Sequence, residues 1–214
     1  MGLPQTQLLC TPDEYLAFER EATERHEWLD GLIYAMAGES PQHSLIIANL
    51  IAILNLQLRG KPCRVFSPNM KVYSCLPTDT TMKGLFSYPD TLVVCGQPRF
   101  HDQHGDVVVN PTVIVEVLSK SIEAYDRGEK FERYSQNASL TDYLLVSQRR
   151  PKIKHYTRNE HGRWSYSRET SLAGSLYLAT IDCRLPLAEV YDGIEFPPPS
   201  ELTNPLEPSS PGAG

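Results

Sequence analysis

Apolar residues recur along this chain in short blocks separated by polar, proline-bearing and glycine-bearing stretches, and the period of each block predicts an element. Thr11-Pro12-Asp13-Glu14 reads as a helix start. Thr11 is the N-cap, Pro12 occupies the first helical position, and Glu14 closes a capping box, with the helix running to about Glu24. Glu27-Trp28-Leu29 and Leu32-Ile33-Tyr34 flank Asp30-Gly31, the signature of a tight hairpin. Ser40-Pro41 caps a second helix bearing Leu45, Ile46, Ile47, Leu50, Ile51, Ile53, Leu54 and Leu58, closed by Gly60. Its apolar residues occupy most of the circumference, which predicts a central packing element. Strands are predicted over 63–66, 71–73, 92–94 and 113–117, with polar loops over 74–89 and 96–111. A helix over about 122–136, with Phe131 and Tyr134 on its apolar side, precedes a buried strand over 143–146. A hairpin of 153–156 and 164–167 across Asn159–Gly162 follows.

This order predicts a mixed α/β sandwich around one sheet, in which only the helix between Val117 and Tyr143 bridges parallel strands. It is not a doubly wound nucleotide fold, and the chain has no GxGxxG or P-loop lysine motif. At 214 residues it is long enough for one domain, expected over 1–196. Six of the eighteen residues from Pro197 to Gly214 are proline, so 197–214 is expected to be a disordered tail.

Two acids stand out against this pattern. Asp90 opens the apolar run Thr91-Leu92-Val93-Val94, and Glu116 interrupts Val113-Ile114-Val115-Glu116-Val117-Leu118, sharing a strand face with Ile114 and Leu118. A buried carboxylate costs several kcal/mol unless a cation or hydrogen-bond donors compensate it. Asp90 alone would suit a turn, and Glu116 alone an ion pair with an arginine. Together, 26 residues apart, they suit two strands joined by one loop and offer a hard divalent cation its ligands.

Composition narrows the setting. No run approaches the roughly 18 apolar residues of a membrane span, and no basic-then-apolar leader opens the chain. Five cysteines, odd in number and without a CxxC pair, read as reduced thiols of a cytoplasmic protein. A net charge of −6 argues against a generic nucleic-acid coat, yet Arg127, Lys130 and Arg133, and the stretch from Arg149 to Lys154, supply local positive charge. Each group serves either a solvated face or a polyanion. His101, Asp102, His104 and Asp106 include metal-ligating types, but without a further ligand they read as a polar loop that could touch substrate.

Tyr88-Pro89-Asp90, Val115-Glu116-Val117-Leu118-Ser119, Tyr125-Asp126-Arg127-Gly128-Glu129-Lys130 and Tyr143-Leu144-Leu145-Val146, with the earlier Glu27-Trp28-Leu29-Asp30-Gly31 and Ser40-Pro41-Gln42-His43, resemble the Uma-type restriction endonucleases of the PD-(D/E)XK nuclease superfamily. The resemblance covers about residues 8–190. It implies a restriction-endonuclease-like mixed sheet flanked by helices, with additional β-hairpins. It also implies a Mg²⁺- or Mn²⁺-dependent endonuclease acting on nucleic acid, with Asp90 and Glu116 as metal ligands. The superfamily lysine two residues beyond the strand glutamate is Leu118 here. The resemblance instead assigns the catalytic lysine to Lys130 of the following helix, with Glu27 as an accessory catalytic acid and His43 and Arg127 as substrate contacts. DNA is the expected partner, with no membrane, and double-strand cleavage would favour a homodimer. Two alternatives stay open: an inactive descendant of the fold that binds DNA or a protein partner, and a hydrolase of RNA or a small phosphodiester.

Overall fold

The computed structural model describes residues 9–36, 38–74, 83–118 and 126–197, with only the backbone described for Asp126 and Arg127. The capping box forms as its residues dictate. The Thr11 side chain accepts from Glu14 N while Glu14 reaches back to Thr11 N, and helix α1 runs over Pro12–Glu21, shorter than expected. Strands β1 (His26–Leu29) and β2 (Leu32–Ala35) close the expected hairpin. Asp30 and Gly31 both hold positive φ, 48° and 93°, the conformation that a two-residue turn of this hand requires. Helix α2 spans Pro41–Gln57, and Ser40 Oγ accepts from His43 N as its N-cap.

Eleven further strands follow: β3 (Cys63–Phe66), β4 (Lys71–Ser74), β5 (Leu85–Ser87), β6 (Thr91–Cys95), β7 (Val107–Val108), β8 (Val113–Leu118), β9 (Asp142–Ser147), β10 (Ile153–Arg158), β11 (Trp164–Glu169), β12 (Ser175–Leu178) and β13 (Cys183–Pro186). A π-helical turn, Asp126–Lys130, runs into α3 (Phe131–Tyr134), and α4 (Leu187–Val190) follows β13.

The strands form a five-stranded sheet, β2-β1-β5-β4-β7, a six-stranded sheet, β11-β10-β9-β8-β6-β3, and the hairpin β12-β13. In the larger sheet β8 and β9 are parallel, joined through the segment that holds α3, while the other pairs are antiparallel. The architecture is thus mixed α/β with few helices, as expected, but the strands divide between two large sheets and a hairpin instead of forming one sheet, because β5 and β7, too short to show a period, complete the second sheet. Strand alternation sorts the side chains into three apolar clusters. Val93, Val113, Val115, Val117, Leu144 and Val146 face one way and pack with Ile46, Ile47, Leu50 and Leu54 of α2 and with β12, β13 and α4. Leu92, Ile114, Tyr143 and Leu145 face the other way and meet Leu29, Val72 and Leu85 of the smaller sheet, with Tyr134 wedged among them. Trp28, Phe86 and Val107 form the far side of the smaller sheet under Tyr15 and Leu16 of α1. Truncating a residue such as the wholly buried Leu50 to alanine should cost about 2–5 kcal/mol.

Several expectations need correction. Residues 85–87 are not loop but β5, which lies between β1 and β4. Only three residues long, this strand gives no period to read. The loop 96–111 contains β7, pairing in parallel with β4. Helix α2 is packed on one face only, since Leu45 and Leu56 are exposed. The reduced-thiol reading fails for Cys63 and Cys95, which stand opposite each other on β3 and β6 and form a disulfide. Their separation of 32 residues concealed that register, and the cysteines no longer argue for a cytoplasmic location. Cys10 and Cys183 are free thiols. The expected loop over 74–89 and helix over 122–136 lie partly outside the described residues, as does nearly all of the proline-rich tail. Among the described residues no helix is long and apolar enough to cross a membrane.

Candidate active site

The site lies at the edge of the core between the two sheets. Alternation along β1 puts Glu27 on the same face as Leu29, and alternation along β8 puts Glu116 on the same face as Ile114. Those two faces oppose each other, so one acid arrives from each sheet. Lys130, the last residue of the π-helical turn, enters between them and is almost wholly buried. Its Nζ lies 2.9 Å from Glu27 Oε1 and 3.3 Å from Glu116 Oε1. The approach to Glu27 is ionic, off the hydrogen-bonding direction, so Glu27 Oε1 is buried yet accepts no hydrogen bond.

Asp90 joins through the sheet. Thr91 stands opposite Val115, so the residue before the one neighbours the residue after the other, Asp90 beside Glu116. Asp90 Oδ2 accepts from Val117 N at 2.6 Å, which fixes the carboxylate, and His43 Nε2 lies 3.2 Å from the same oxygen. His43 is presented by the first turn of α2, whose N-cap is Ser40. Burial alone would lower the His43 pKa, but the hydrogen bond and charge of Asp90, helped by Glu39, outweigh it and raise it. The imidazole therefore favours its protonated form more than a free histidine does.

Tyr134 was visible in the sequence only as an apolar helix residue. Its hydroxyl donates to Glu116 Oε1 at 2.8 Å and contacts Ser87 Oγ at 2.8 Å. Complete burial, then the Glu116 charge, push the Tyr134 pKa far up, so the phenol stays a donor. Ser87 lies on β5, the strand the sequence pattern did not reveal. A tyrosine four residues after a candidate lysine was the available signal, since a helix sets such residues on one face.

The structure thus brings together Glu27, His43, Asp90, Glu116 and Lys130. The side chain of Arg127 lies outside the described residues, and Ser119 and Tyr125 of the resembling motifs are outside them as well. Arg133 turns away, bonding Asp30 Oδ2 at 2.6 Å and tying α3 to the β1–β2 turn. The polar loop His101–Asp106 braces the fold: Asp102 and Asp106 both clamp Arg20, and His101 packs edge-on against Tyr73 and Phe86.

Among the described residues no three His, Cys, Asp or Glu side chains form a ready-made metal cage. The donor chemistry nonetheless fits a small hard cation. Mg²⁺ is typically held by one or two carboxylates, with water and phosphate oxygens completing the shell. Three buried carboxylates, Glu27, Asp90 and Glu116, converge here on the Lys130 ammonium and the His43 imidazole.

Known proteins resemble the chain throughout this frame. The model of the Uma2 family, described as "Putative restriction endonuclease", matches residues 12–182. The uncharacterized protein slr1290 of Synechocystis is 36% identical over 186 residues, covering 87% of this chain and 93% of that one. A second Synechocystis protein, the uncharacterized sll1609, is 31% identical over 164 residues, covering 77% and 89%. A crystal structure from Anabaena variabilis, titled as a putative nuclease of DUF820, superposes with a TM-score of 0.67 at 13% identity, covering 84% of this chain and 96% of that one. At that identity the likeness speaks for the fold. The matched segment contains all five gathered side chains, and the chain belongs to the Uma2 family of restriction-endonuclease-like proteins.

Proposed function

We propose that this chain is a divalent-metal-dependent endonuclease that hydrolyses phosphodiester bonds, principally of DNA. The observation that carries the reading is the convergence of three buried carboxylates, Glu27, Asp90 and Glu116, on Lys130 and His43, with Glu27 Oε1 buried and accepting no hydrogen bond. Burying acids this close together costs a fold free energy unless cations or donors compensate them.

Asp90 and Glu116 hold a Mg²⁺ or Mn²⁺ ion, with Glu27 as the accessory acid. Bound there, the ion supplies Lewis acidity towards the phosphate and lowers the pKa of a water. The chain does the positioning. The Val117 amide and His43 fix Asp90, and Tyr134 fixes Glu116. Lys130 answers for the lysine absent at Leu118. Its long stem brings a compact cation from the helical segment to the acids that a lysine at 118 would otherwise serve. There it orients the attacking water and donates to the phosphoryl oxygens as charge builds. His43 adds a donor for a phosphate oxygen. Cutting both strands of a duplex from one such site calls for a homodimer.

The test is incubation of supercoiled plasmid, single-stranded DNA and RNA with the protein and Mn²⁺. Nicking or linearisation that vanishes in Glu116→Gln is the expected result. No cleavage of any substrate by the wild-type protein at matched concentration would overturn the reading.

A further inference from the structure

Register across the larger sheet puts residues far apart in sequence into single rows. Glu116 on β8 is paired with Leu145 on β9, Leu145 with Lys154 on β10, and Lys154 with Arg168 on β11. The next row runs Ile114, Tyr143, Tyr156, Tyr166. Directly paired residues point to the same side of a sheet, so both rows lie on the face that holds Glu116. At β8 and β9 this face is buried under the smaller sheet. At β10 and β11 it emerges. Arg168 is exposed and Tyr166 is 51% exposed, its ring against that of Tyr156 at 5.3 Å.

The chemistry of the hairpin is segregated by face. Lys154, Tyr156, Arg158, Trp164, Tyr166 and Arg168 share the Glu116 side, while Ile153, His155, Thr157, Ser165, Ser167 and Glu169 take the other, where His155 is buried against Asp142. An edge strand is commonly charged to discourage pairing with other chains. That purpose has no need to put every lysine and arginine of the two strands on one side. The platform is also joined to the site. Phe131, next to Lys130, packs on Tyr143, Tyr156 and Trp164 with ring centroids 4.6–5.5 Å away. Basic groups interleaved with aromatic faces suit a nucleic-acid strand with unpaired bases, since phosphates meet the cations and a base stacks on the ring.

We infer that the β10–β11 face is the track of the substrate strand leaving the site: backbone phosphates lie on Lys154 and Arg168, and an unpaired base stacks on Tyr166. This rests on the nuclease reading above and adds to it a substrate class, nucleic acid unpaired on one side of the cleavage point. Three strand spacings, about 14 Å, separate β8 from β11, a span that a few nucleotides of strand can bridge. Charge complementarity identifies the occupant, because a chain with a net charge of −6 concentrates cations on this face.

The test is fluorescence anisotropy of a labelled single-stranded 20-mer, and of the same sequence as a duplex, with EDTA present to prevent cleavage. Plasmid and single-strand cleavage with Mn²⁺ is measured alongside. Tyr166→Ala should weaken single-strand binding about tenfold or more, Tyr166→Phe should restore it, and duplex binding should move much less. Arg168→Ala should weaken both and reduce the slope of log affinity against log salt by about 0.7–0.9. Ser167→Ala, on the opposite face, should change neither. All three positions are exposed, and melting curves confirm the fold. Wild-type binding and cleavage with Tyr166→Ala and Arg168→Ala unaffected would overturn the track and leave the nuclease reading standing. Equal losses for single strand and duplex in Tyr166→Ala would overturn the unpaired base. Absence of both binding and cleavage in the wild type would overturn the nuclease reading itself.

Discussion

Tyr88 and Asp90 are two residues apart, yet they belong to buried polar networks built in opposite ways. Around Tyr88 every carboxylate oxygen has a donor. Glu19 Oε1 accepts from Tyr88 Oη and His26 N, and Glu19 Oε2 is 3.0 Å from His26 Nδ1. Asp106 accepts from Arg20 through both oxygens and meets Lys71 at 3.0 Å, and Asp102 accepts from Arg20 and from His104 N. Around Asp90 three acids share Lys130 and His43, and one buried oxygen accepts no hydrogen bond. The first network braces α1 and the loop after β6 against the smaller sheet, with a donor on every carboxylate oxygen. The second leaves Glu27 Oε1 buried without a hydrogen-bond donor. Residue types alone do not distinguish them, since both contain acids, histidine, tyrosine and lysine. What distinguishes them is whether each buried acid oxygen meets a donor.

The strongest way to break this comparison is at the acids. Asp90→Asn or Glu116→Gln should abolish plasmid cleavage, by about a thousandfold or more, while the melting temperature stays nearly level because the isosteric amide fills the same space and one buried charge is gone. A large fall in stability would move these residues to the bracing class. Lys130→Ala should do both kinds of harm. Cleavage should fall by at least about a hundredfold. Denaturant unfolding should show a loss of about 3–5 kcal/mol, because Glu27 and Glu116 lose their shared cation. Arg20→Ala sharpens the other side: about 1–3 kcal/mol lost in denaturant unfolding, with cleavage per folded molecule unchanged.

A pH series adds a smaller effect of defined sign. Burial would raise the Asp106 pKa, but hydrogen bonds and charge from Arg20 and Lys71 outweigh it and hold it far below the carboxylate range. Its folded pKa is depressed, so its contribution is complete above the unfolded value near 3.9 and is lost as pH falls below it toward the folded pKa. Acid unfolding curves of Asp106→Asn should therefore be flatter below about pH 4 than those of the wild type. Thr11→Ala, which removes only the cap of α1, should cost about 1 kcal/mol in thermal unfolding and leave cleavage alone.

Much of the frame was legible because local signals agree with the fold. The Thr11 capping box, the Asp30-Gly31 turn and the Ser40 cap are satisfied by neighbours within four residues, so the sequence displays them directly. Asp90 and Glu116 were legible as acids inside apolar runs. Glu27 was not, for a hairpin acid reads equally well as solvent-facing. It is buried because β5 pairs beside β1 and the sheets close over Leu29, contacts that no local pattern encodes. The same holds for Tyr134, whose apolar ring hid a hydroxyl aimed at Glu116, and for Cys63 and Cys95, whose pairing depends on register alone. The loop His101–Asp106 was legible as polar, but not its partner, since Arg20 lies on a helix more than eighty residues away in sequence.

Calorimetric titration of Mn²⁺ into the wild-type protein and into Asp90→Asn asks whether the gathered carboxylates take up a cation. A saturable heat is expected in the wild type, lost or greatly weakened in Asp90→Asn, with both proteins equally folded. Absence of binding in the wild type, or undiminished binding in the variant, would contradict such uptake.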